Sequence, residues 1–293
     1  MRACERHGGA AGEWMGEAKA MRDWATVPEG ETDEAHITPA ESLAYRVARL
    51  ETEGIRQVVH RTVLLTFQSG IAEQFVQETH ARPAGEGFSM ESAAPLWNGT
   101  LGGLPVSIQK LPVGAPPTAI AFEMLIAGGA TTFLVAGTAG SLTPDAPIGS
   151  IVIPTGARRE EGTSYHYLPP EADPLPDAAL VALLGDAAAR RGVTPLMGRV
   201  WTVDAIYREM GWKVRQYARE GILAVEMELS AMLAIAQVRG VRLAASLVIS
   251  DELFHPWRPG FHLDAFIAGR RRAANLALDA AARVQVANHE TTA

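Results

Sequence analysis

Two carboxylates stand two residues apart, at Glu226 and Glu228, where an apolar run meets an Ala-rich amphipathic segment. A charged side chain at such a junction either caps the following helix or faces a pocket, because burying it unpaired costs several kcal/mol. The Glu228 carboxylate can accept two hydroxyl hydrogen bonds at once, which suits a vicinal diol. Helix capping and diol binding explain this spacing equally well.

A further carboxylate, Asp251, follows Ser250 directly after the most apolar run of the chain. An Asp just beyond a buried strand is placed for a raised pKa through desolvation, which suits a general acid near neutral pH. An Asx turn, or a cap on the next segment, would explain the same residue. The pattern alone leaves the catalytic and the structural interpretation open.

Small residues fill the segment 137–141, which follows the apolar run 132–136. Gly137 and Gly140 permit a tight turn and close backbone approach, so that amides and the Thr138 hydroxyl can converge on a phosphate or sugar oxygen. The segment matches neither the dinucleotide-binding nor the Walker pattern. An ordinary turn between a strand and a loop explains it as well.

Polar donors are dense in the segment 158–167, which begins with Arg158 and contains Tyr165 and His166. A solvated loop is one interpretation. Because aromatic rings and a His also form the walls of pockets, a contribution to a binding site is the other.

Short apolar runs alternate with longer amphipathic segments from residue 37 onward, which predicts one α/β domain over residues 37–293. The four polar clusters follow predicted strands, and ligands of open α/β sheets bind at the carboxyl ends of strands. Residues 1–36 are polar and without a sustained period, so we expect a mobile N-terminal extension. The predicted strands are 62–66, 104–111, 132–136, 150–154, 198–203, 223–226 and 242–249, and the predicted helices are 115–127, 177–191, 228–239 and 263–287.

The composition of the 293-residue chain excludes several classes of protein. Its one cysteine, Cys4, can form neither an internal disulfide nor a thiolate cluster, and the eight His residues include no HExxH spacing, so no metal site is expected. A net charge of −7 argues against general nucleic-acid binding. No run approaches the roughly 20 apolar residues of a membrane span, and no signal peptide is evident, so a cytoplasmic protein is expected.

Taken together and in order, the clusters resemble the nucleoside phosphorylase superfamily of the hexameric uridine and purine nucleoside phosphorylase type, which includes the methylthioadenosine and adenosylhomocysteine nucleosidases. The similarity runs from Leu104 to the C-terminus and is weaker over 37–103. It implies a single-domain, three-layer α/β/α fold with a central mixed, partly barrel-like sheet. The segment 161–169 is most similar to the uridine-phosphorylase-like branch. The matching segments are 133–140, 148–154, 161–167, 225–228 and 250–251.

The resemblance implies a role for each matching residue. Glu228 holds the ribose 2′ and 3′ hydroxyls beside Glu226, and Met227 lies beneath the sugar. Asp251, supported by Ser250, is the general acid at N7 of a departing purine. The residues implied at the sugar and phosphate end are Gly114, in the place of the family's glycine loop, together with Gly137 and Thr138.

One departure from the family concerns phosphate. Phosphorylases of this type usually carry an Arg two residues before the first Gly of the small-residue segment, and here that position is Val135. The family's N-terminal phosphate loop is unrecognisable over 63–71, and nucleosidases lack that Arg because water replaces phosphate. Either another cation, with Arg61, Lys110 and Arg158 as candidates, holds phosphate, or phosphate is not the acceptor.

The second departure concerns the base. Ile206 aligns with the aromatic residue that stacks on the base in uridine phosphorylases, and the Gln and Arg that read the pyrimidine edge are not reproduced. Because Asp251 stands where uridine phosphorylases lack it, a purine is favoured over uridine. The nearby candidates for base contacts are Tyr207, Arg208 and Glu209, with Tyr165 and His166 from the earlier cluster.

The resemblance thus implies phosphorolysis of a nucleoside to free base and (deoxy)ribose 1-phosphate, with inorganic phosphate as co-substrate and no cofactor. Hydrolysis by water is the alternative that Val135 suggests, and nucleoside binding without reaction is another. Family members borrow site residues across a dimer interface within a trimer of dimers. A dimer-based homo-oligomer, up to a hexamer, is therefore implied.

Overall fold

The computed structural model describes residues 35–52, 58–85 and 95–290, and the predicted extension 1–36 lies outside them except for its last two residues. Ten strands of the described residues form one sheet. They are β1 Thr62–Thr66, β2 Arg82–Pro83, β3 Trp97–Leu101, β4 Leu104–Lys110, β5 Thr132–Ser141, β6 Ile151–Glu160, β7 Leu196–Val203, β8 Ile222–Glu226, β9 Arg242–Glu252 and β10 Arg258–Pro259. The helices are α1 Pro39–Thr52, α2 Ser69–Glu78, α3 Ala115–Ala127, α4 Ala178–Arg190, α5 Gly211–Arg219, α6 Leu229–Arg239 and α7 Asp264–Glu290, with 3-10 turns at Thr163–His166 and Ile206–Arg208.

Five of the strands close into a ring. The hydrogen-bonded order is β10-β9-β6-β7-β8-β5-β1-β4-β3-β2, and β9 also pairs with β5, so β5, β8, β7, β6 and β9 close on themselves. Strands β1 and β4 continue from β5 as parallel neighbours, and β3 and β2 extend the sheet in antiparallel fashion. The mixed, partly barrel-like sheet is confirmed.

Helices cover the sheet on both sides. Helices α3 and α6 bury one apolar core against it, which includes Phe122 and Leu233. Helices α2, α4 and α7 bury a second core, which includes Phe75 and Leu184. All five residues of β1 are buried, as expected when helices cover both faces of a sheet. Within the described part of the chain, no helix is both long and apolar enough to cross a membrane.

Strand β5 does not end at Ala136 as predicted; it continues to Ser141, so the predicted turn at 137–141 is wrong. Its small residues serve close strand packing instead. A Cβ at Gly140 would lie 2.5 Å from Leu253 Cδ1 and 3.3 Å from Val225 Cγ1, both of which follow or belong to neighbouring strands. The register between β5 and β9 also shifts between Ala139 and Gly140, where the ring closes.

Strand β6 likewise continues past Pro154 to Glu160, so Arg158 lies on a strand and the solvated-loop interpretation of the segment 158–167 is wrong for its first three residues. The 3-10 turn Thr163–His166 follows it. Helices α1, α2 and α5 and the strands β2, β3 and β10 were not predicted.

Candidate active site

A cavity of about 590 Å³ opens where β5, β8 and β9 end, beside the segment that leads into α5. Acidic, aromatic and small residues form much of its wall. The acidic residues are Glu209, Glu226, Glu228 and Asp251, the aromatic residues are Phe67, Tyr207, Trp257 and Phe261, and the small residues include Thr138, Ala139, Gly140 and Ser250. Met227 and Ile206 also line it.

The Glu228 side chain is held by the loop before α3. Its Oε1 atom accepts a hydrogen bond from the backbone N–H of Gly114 at 2.6 Å, and the residue is only 6% exposed. Burial, followed by the negative charge of Glu226, raises the pKa of Glu228. Although Glu228 occupies the N-cap position of α6, its side chain makes no capping hydrogen bond. The second carboxylate oxygen is therefore available to a ligand in the cavity.

Glu226 does the capping. Its Oε2 atom accepts hydrogen bonds from the backbone N–H groups of Glu228 at 2.8 Å and of Leu229 at 2.6 Å, and its Oε1 atom accepts one from the Thr202 hydroxyl. These bonds satisfy the first N–H groups of α6. Burial raises the pKa of Glu226. The two interpretations of the Glu pair thus divide between its members: Glu226 caps the helix, and Glu228 faces the cavity from a fixed position.

Asp251 lies near the end of β9 with both carboxylate oxygens accepting hydrogen bonds. The Ser250 hydroxyl donates to Oδ1 at 2.7 Å, and the indole N–H of Trp257 donates to Oδ2 at 2.9 Å. Trp257 reaches Asp251 because the chain turns back through β10, where Pro259 pairs with Asp251. These contacts arrange Asp251 as a hydrogen-bond acceptor on the cavity wall.

Glu209 joins Asp251 on this wall. It follows the 3-10 turn Ile206–Arg208, and its half-buried side chain makes no hydrogen bond to any of the described residues. Burial, with a contribution from the negative charge of Asp251, raises the pKa of Glu209 to about 7. Two of the four acidic side chains thus feel the charge of another: Glu226 raises the pKa of Glu228, and Asp251 raises that of Glu209.

The predicted phosphate ligand Arg158 is not in the cavity. Its guanidinium pairs with Glu220 at 3.0 Å and lies 4.6 Å from the ring centre of Tyr217. The other two candidate cations, Lys110 and Arg61, also lie outside the cavity. Lys110 donates to Ser69 Oγ at 3.0 Å without lining the cavity, and Arg61 precedes β1, at the end of the sheet away from the cavity.

Three predicted base-binding residues also lie elsewhere. The Tyr165 hydroxyl donates to the carbonyl of Arg159 at 3.1 Å, and the Arg159 guanidinium lies 4.1 Å from the ring centre of Tyr165. Arg159 itself donates to the carbonyls of Leu168 and Pro169, so the segment after β6 is held by its own contacts and does not form the cavity wall. Ile206, Tyr207 and Glu209 do line the cavity. The predicted site residues outside it are thus Arg158, Tyr165, His166 and Arg208, together with Gly114, whose N–H binds Glu228, and Gly137, which lines only a smaller cavity.

No Lys or Arg side chain of the described residues lines this cavity. Val135 is 2% exposed and faces a second, small cavity of about 10 Å³ that Gly137 and Thr138 also line. That volume is close to the roughly 10–15 Å³ needed by one water molecule. His255 does line the large cavity, but its Nε2 atom is hydrogen-bonded to Glu252 at 2.9 Å.

Several lining residues were missed from the sequence. Phe67 and Gln68 follow β1 directly, and the end of that predicted strand was a signal that could have found them. Gln68 Nε2 donates to the Thr138 hydroxyl at 3.4 Å. Trp257 and Phe261 had no such signal, because they reach the cavity through the turn at β10. Among the described residues, no three His, Cys, Asp or Glu side chains form a group that could hold a metal ion.

Comparison with known proteins adds a family and a fold. A sequence model described as the phosphorylase superfamily matches residues 62–284. Among characterised relatives, the uridine phosphorylase of Treponema pallidum (strain Nichols) is 38% identical over 164 residues, which cover 52% of this chain and 64% of that protein. The guanosine phosphorylase of Halorubrum lacusprofundi is 34% identical over 156 residues, which cover 53% of this chain and 65% of that protein. The chain thus spans slightly less than two thirds of these relatives' length.

Two solved structures share the fold. The uridine phosphorylase from Vibrio fischeri ES114 superposes with a TM-score of 0.70 at 24% identity, covering 77% of this chain and 93% of that one. The purine nucleoside phosphorylase from Toxoplasma gondii, in complex with immucillin-H, gives 0.71 at 21% identity, covering 78% and 92%.

Proposed function

Since the chain belongs to the phosphorylase superfamily, we propose that it cleaves the N-glycosidic bond of a nucleoside in the acidic cavity. The observation that carries the proposal is the Glu228 carboxylate. It is buried and held on one oxygen by the Gly114 N–H, which leaves its other oxygen to the cavity. A fixed carboxylate of this kind binds sugar hydroxyls without reorganising first.

Sugar hydroxyls that donate to Glu228 stabilise its charged form, and that negative charge favours the reaction. Cleavage of an N-glycosidic bond passes through an oxocarbenium-like sugar, which is more positive than the bound nucleoside. A negative group beside the sugar therefore stabilises the transition state more than the ground state. The base leaves more readily when it is protonated, and the pair of Glu209 and Asp251 is the proposed source of that proton. Thr138 and Met227, on the same wall, contact the sugar.

Phosphate is the proposed acceptor, with free base and (deoxy)ribose 1-phosphate as products. This follows the relatives named uridine phosphorylase and guanosine phosphorylase. A purine is the proposed base, because Asp251 on the cavity wall offers hydrogen-bond acceptors to a purine edge. Ile206 and Tyr207 line the same cavity and supply apolar contacts to the base.

Water is a second candidate for the acceptor, and a specific observation favours it. Four acidic residues and none of the described Lys or Arg side chains line the cavity, so no guanidinium or ammonium group described there offsets the charge of a phosphate dianion. The small cavity beside Val135 and Thr138 has the size of one water molecule.

Product analysis separates the two acceptors. The purified chain is incubated with inosine, adenosine, methylthioadenosine and uridine, with phosphate and after rigorous phosphate removal, and free base and sugar product are quantified. Phosphorolysis predicts base release that depends on phosphate and yields sugar 1-phosphate. Turnover that is unchanged without phosphate and yields free sugar would reject phosphorolysis in favour of hydrolysis. Binding of these nucleosides by calorimetry without any turnover would instead favour a non-catalytic binding protein.

We also propose that the chain forms a dimer-based homo-oligomer, up to a hexamer. Apolar side chains at the cavity are strongly exposed in the single chain, with Tyr207 at 96% and Trp257 at 64%. A neighbouring copy would cover them and add residues to the site. Light scattering tests this directly, and a monomer at micromolar concentration would contradict it.

A further inference from the structure

We propose that Glu209 delivers the proton to the departing base, while Asp251 holds the base as a hydrogen-bond acceptor. The inference rests on the proposed cleavage of a nucleoside and assigns its proton donor. The sequence resemblance placed that role on Asp251. The contacts of the two side chains favour Glu209 as the donor and Asp251 as the acceptor.

Both carboxylate oxygens of Asp251 are engaged as hydrogen-bond acceptors. One oxygen accepts the Ser250 hydroxyl at 2.7 Å and the other accepts the Trp257 indole N–H at 2.9 Å. Ser250 and Trp257 both donate to it, so these contacts hold Asp251 in the role of an acceptor. A carboxylate held in this way can still accept a further N–H from a base, because each oxygen has two lone pairs.

Glu209 has the opposite surroundings. Its side chain lines the same cavity, is half-buried, and accepts no hydrogen bond from the described residues that would stabilise a charge. Burial and the charge of Asp251 raise the pKa of Glu209 to about 7, so it carries a proton near neutral pH. The negative charge of Asp251 on the same cavity wall makes a second negative charge at Glu209 less favourable, so Glu209 is the proposed member of the two that keeps a proton.

The other charged groups near Glu209 do not change this assignment. Glu226 and Glu228, across the cavity, add negative charge, and His255 on the wall is hydrogen-bonded to Glu252. Arg208 precedes Glu209 but is exposed and does not line the cavity, and Arg215 lies one turn into α5 beside Gly211. The effects that shift the pKa of Glu209 remain burial and Asp251.

The proposed step breaks one bond to C1′, forms another and transfers one proton to the base. As the bond from C1′ of the sugar to the base nitrogen breaks, its electron pair goes to the base, and the Glu209 carboxyl proton moves to the base ring nitrogen. An oxygen of phosphate or water forms the new bond to C1′ and loses its own proton to solvent. Glu209, now a carboxylate, regains a proton from solvent before the next turnover.

A pair of substrates tests the proton donor. Guanosine needs its base protonated on departure, whereas 7-methylguanosine carries a positive charge on the base, which leaves neutral without a proton. We expect Glu209→Gln to lower kcat for guanosine by about 100-fold or more, the usual contribution of a general acid, and to leave 7-methylguanosine within about threefold. Asp186→Asn, which removes an exposed carboxylate on α4, is the matched control and should change neither rate.

The pH profile gives a second readout. The acid form of Glu209 is the active one, so kcat/KM of the wild type for guanosine should fall as pH rises through about 7, and Glu209→Gln should lose this fall. Glu209→Asp keeps an acid at the position and should retain it. Thermal unfolding of each variant checks that the chain is folded.

Two results would overturn the assignment while the proposed function stands. One is an unchanged guanosine rate in Glu209→Gln, and the other is an equal loss on both substrates, which indicates a structural role. If the wild type cleaves neither nucleoside, the proposed function itself fails, and the assignment fails with it.

Discussion

Glu228→Ala is the substitution that bears most directly on sugar binding. The carboxylate is 6% exposed, and one oxygen is occupied by the Gly114 N–H at 2.6 Å, so the rest of its hydrogen-bonding capacity faces the cavity. Hydrogen bonds to a charged group contribute roughly 1.5–3 kcal/mol each. Two such bonds, to the 2′ and 3′ hydroxyls, correspond to about 3–6 kcal/mol, and at about 1.4 kcal/mol per tenfold we expect kcat/KM to fall at least about a hundredfold.

The effect on folding should be much smaller. Removing the carboxylate leaves the Gly114 N–H without its acceptor, which costs about 1–3 kcal/mol. It also removes a carboxyl group whose ionisation is disfavoured by burial, which raises its pKa, so the two effects oppose each other. Glu228→Gln is the matched variant, because its amide oxygen can still accept the Gly114 N–H while the charge is lost.

The assay is the initial rate of free-base release from inosine and guanosine, with thermal unfolding followed by circular dichroism. Both variants should be folded and both should lose activity, the Gln variant by the loss of charge alone. A Glu228→Ala protein that is folded and keeps activity within about tenfold of the wild type would remove Glu228 from the site and refute the reasoning.

Three further expectations concern selectivity, pH and the backbone. Asp251→Asn should lower kcat/KM for inosine about tenfold more than for uridine, since a site built to hydrogen-bond a base edge discriminates strongly; equal losses would contradict a purine preference. Because burial raises the pKa of Glu228 and of Glu226 above 4.5, the folded state holds protons more tightly than the unfolded one, so the free energy of unfolding should fall as pH rises from about 5 to 8. Urea unfolding should show a smaller fall for Glu228→Gln, and an identical slope would show that the pair does not titrate as described. Gly149→Ala should destabilise by about 1–3 kcal/mol or more, because φ is +90° and the new Cβ would lie 2.6 Å from the Ala265 carbonyl oxygen. Gly192→Ala, with φ of +63° and open space around it, is its control, with about 1 kcal/mol expected from the backbone conformation alone.

Local sequence signals located much of the fold. Helix α3 spans the predicted residues 115–127, because glycines bound an apolar stretch on both sides. Strands β1, β8 and β9 begin within one residue of their predicted starts. These elements are defined by apolar runs and their flanking residues, which the sequence shows directly.

The predictions failed where distant strands decide the local structure. The segment 137–141 has the small residues of a turn, yet it continues β5, because close packing in the ring excludes larger side chains there. Arg158 begins a segment that was open to interpretation as a solvated loop, but β6 continues through it and its guanidinium pairs with Glu220. Neither closure of the ring nor the partner of Arg158 can be read from neighbouring residues.

The candidate site was predictable to a similar extent. The sequence placed Glu228 and Asp251 at strand ends, and both line the cavity. It left capping and ligand binding open for the Glu pair, and the structure gives capping to Glu226. The hydrogen bond from Trp257 to Asp251 depends on the pairing of β10 with β9, which has no sequence signal. Glu209 was a candidate for base contacts, but that it lines the same cavity as Asp251 is visible only in three dimensions.

Release of free base is the measurement that tests the central claim most directly. Guanosine is incubated with wild-type protein and with Glu228→Gln, in phosphate buffer and in phosphate-free buffer, and free guanine is quantified by chromatography over time. We expect the wild type to release guanine in at least one buffer, and we expect the rate of Glu228→Gln to be lower by at least about a hundredfold. No guanine from the wild type in either buffer, despite guanosine binding measured by calorimetry, would contradict it.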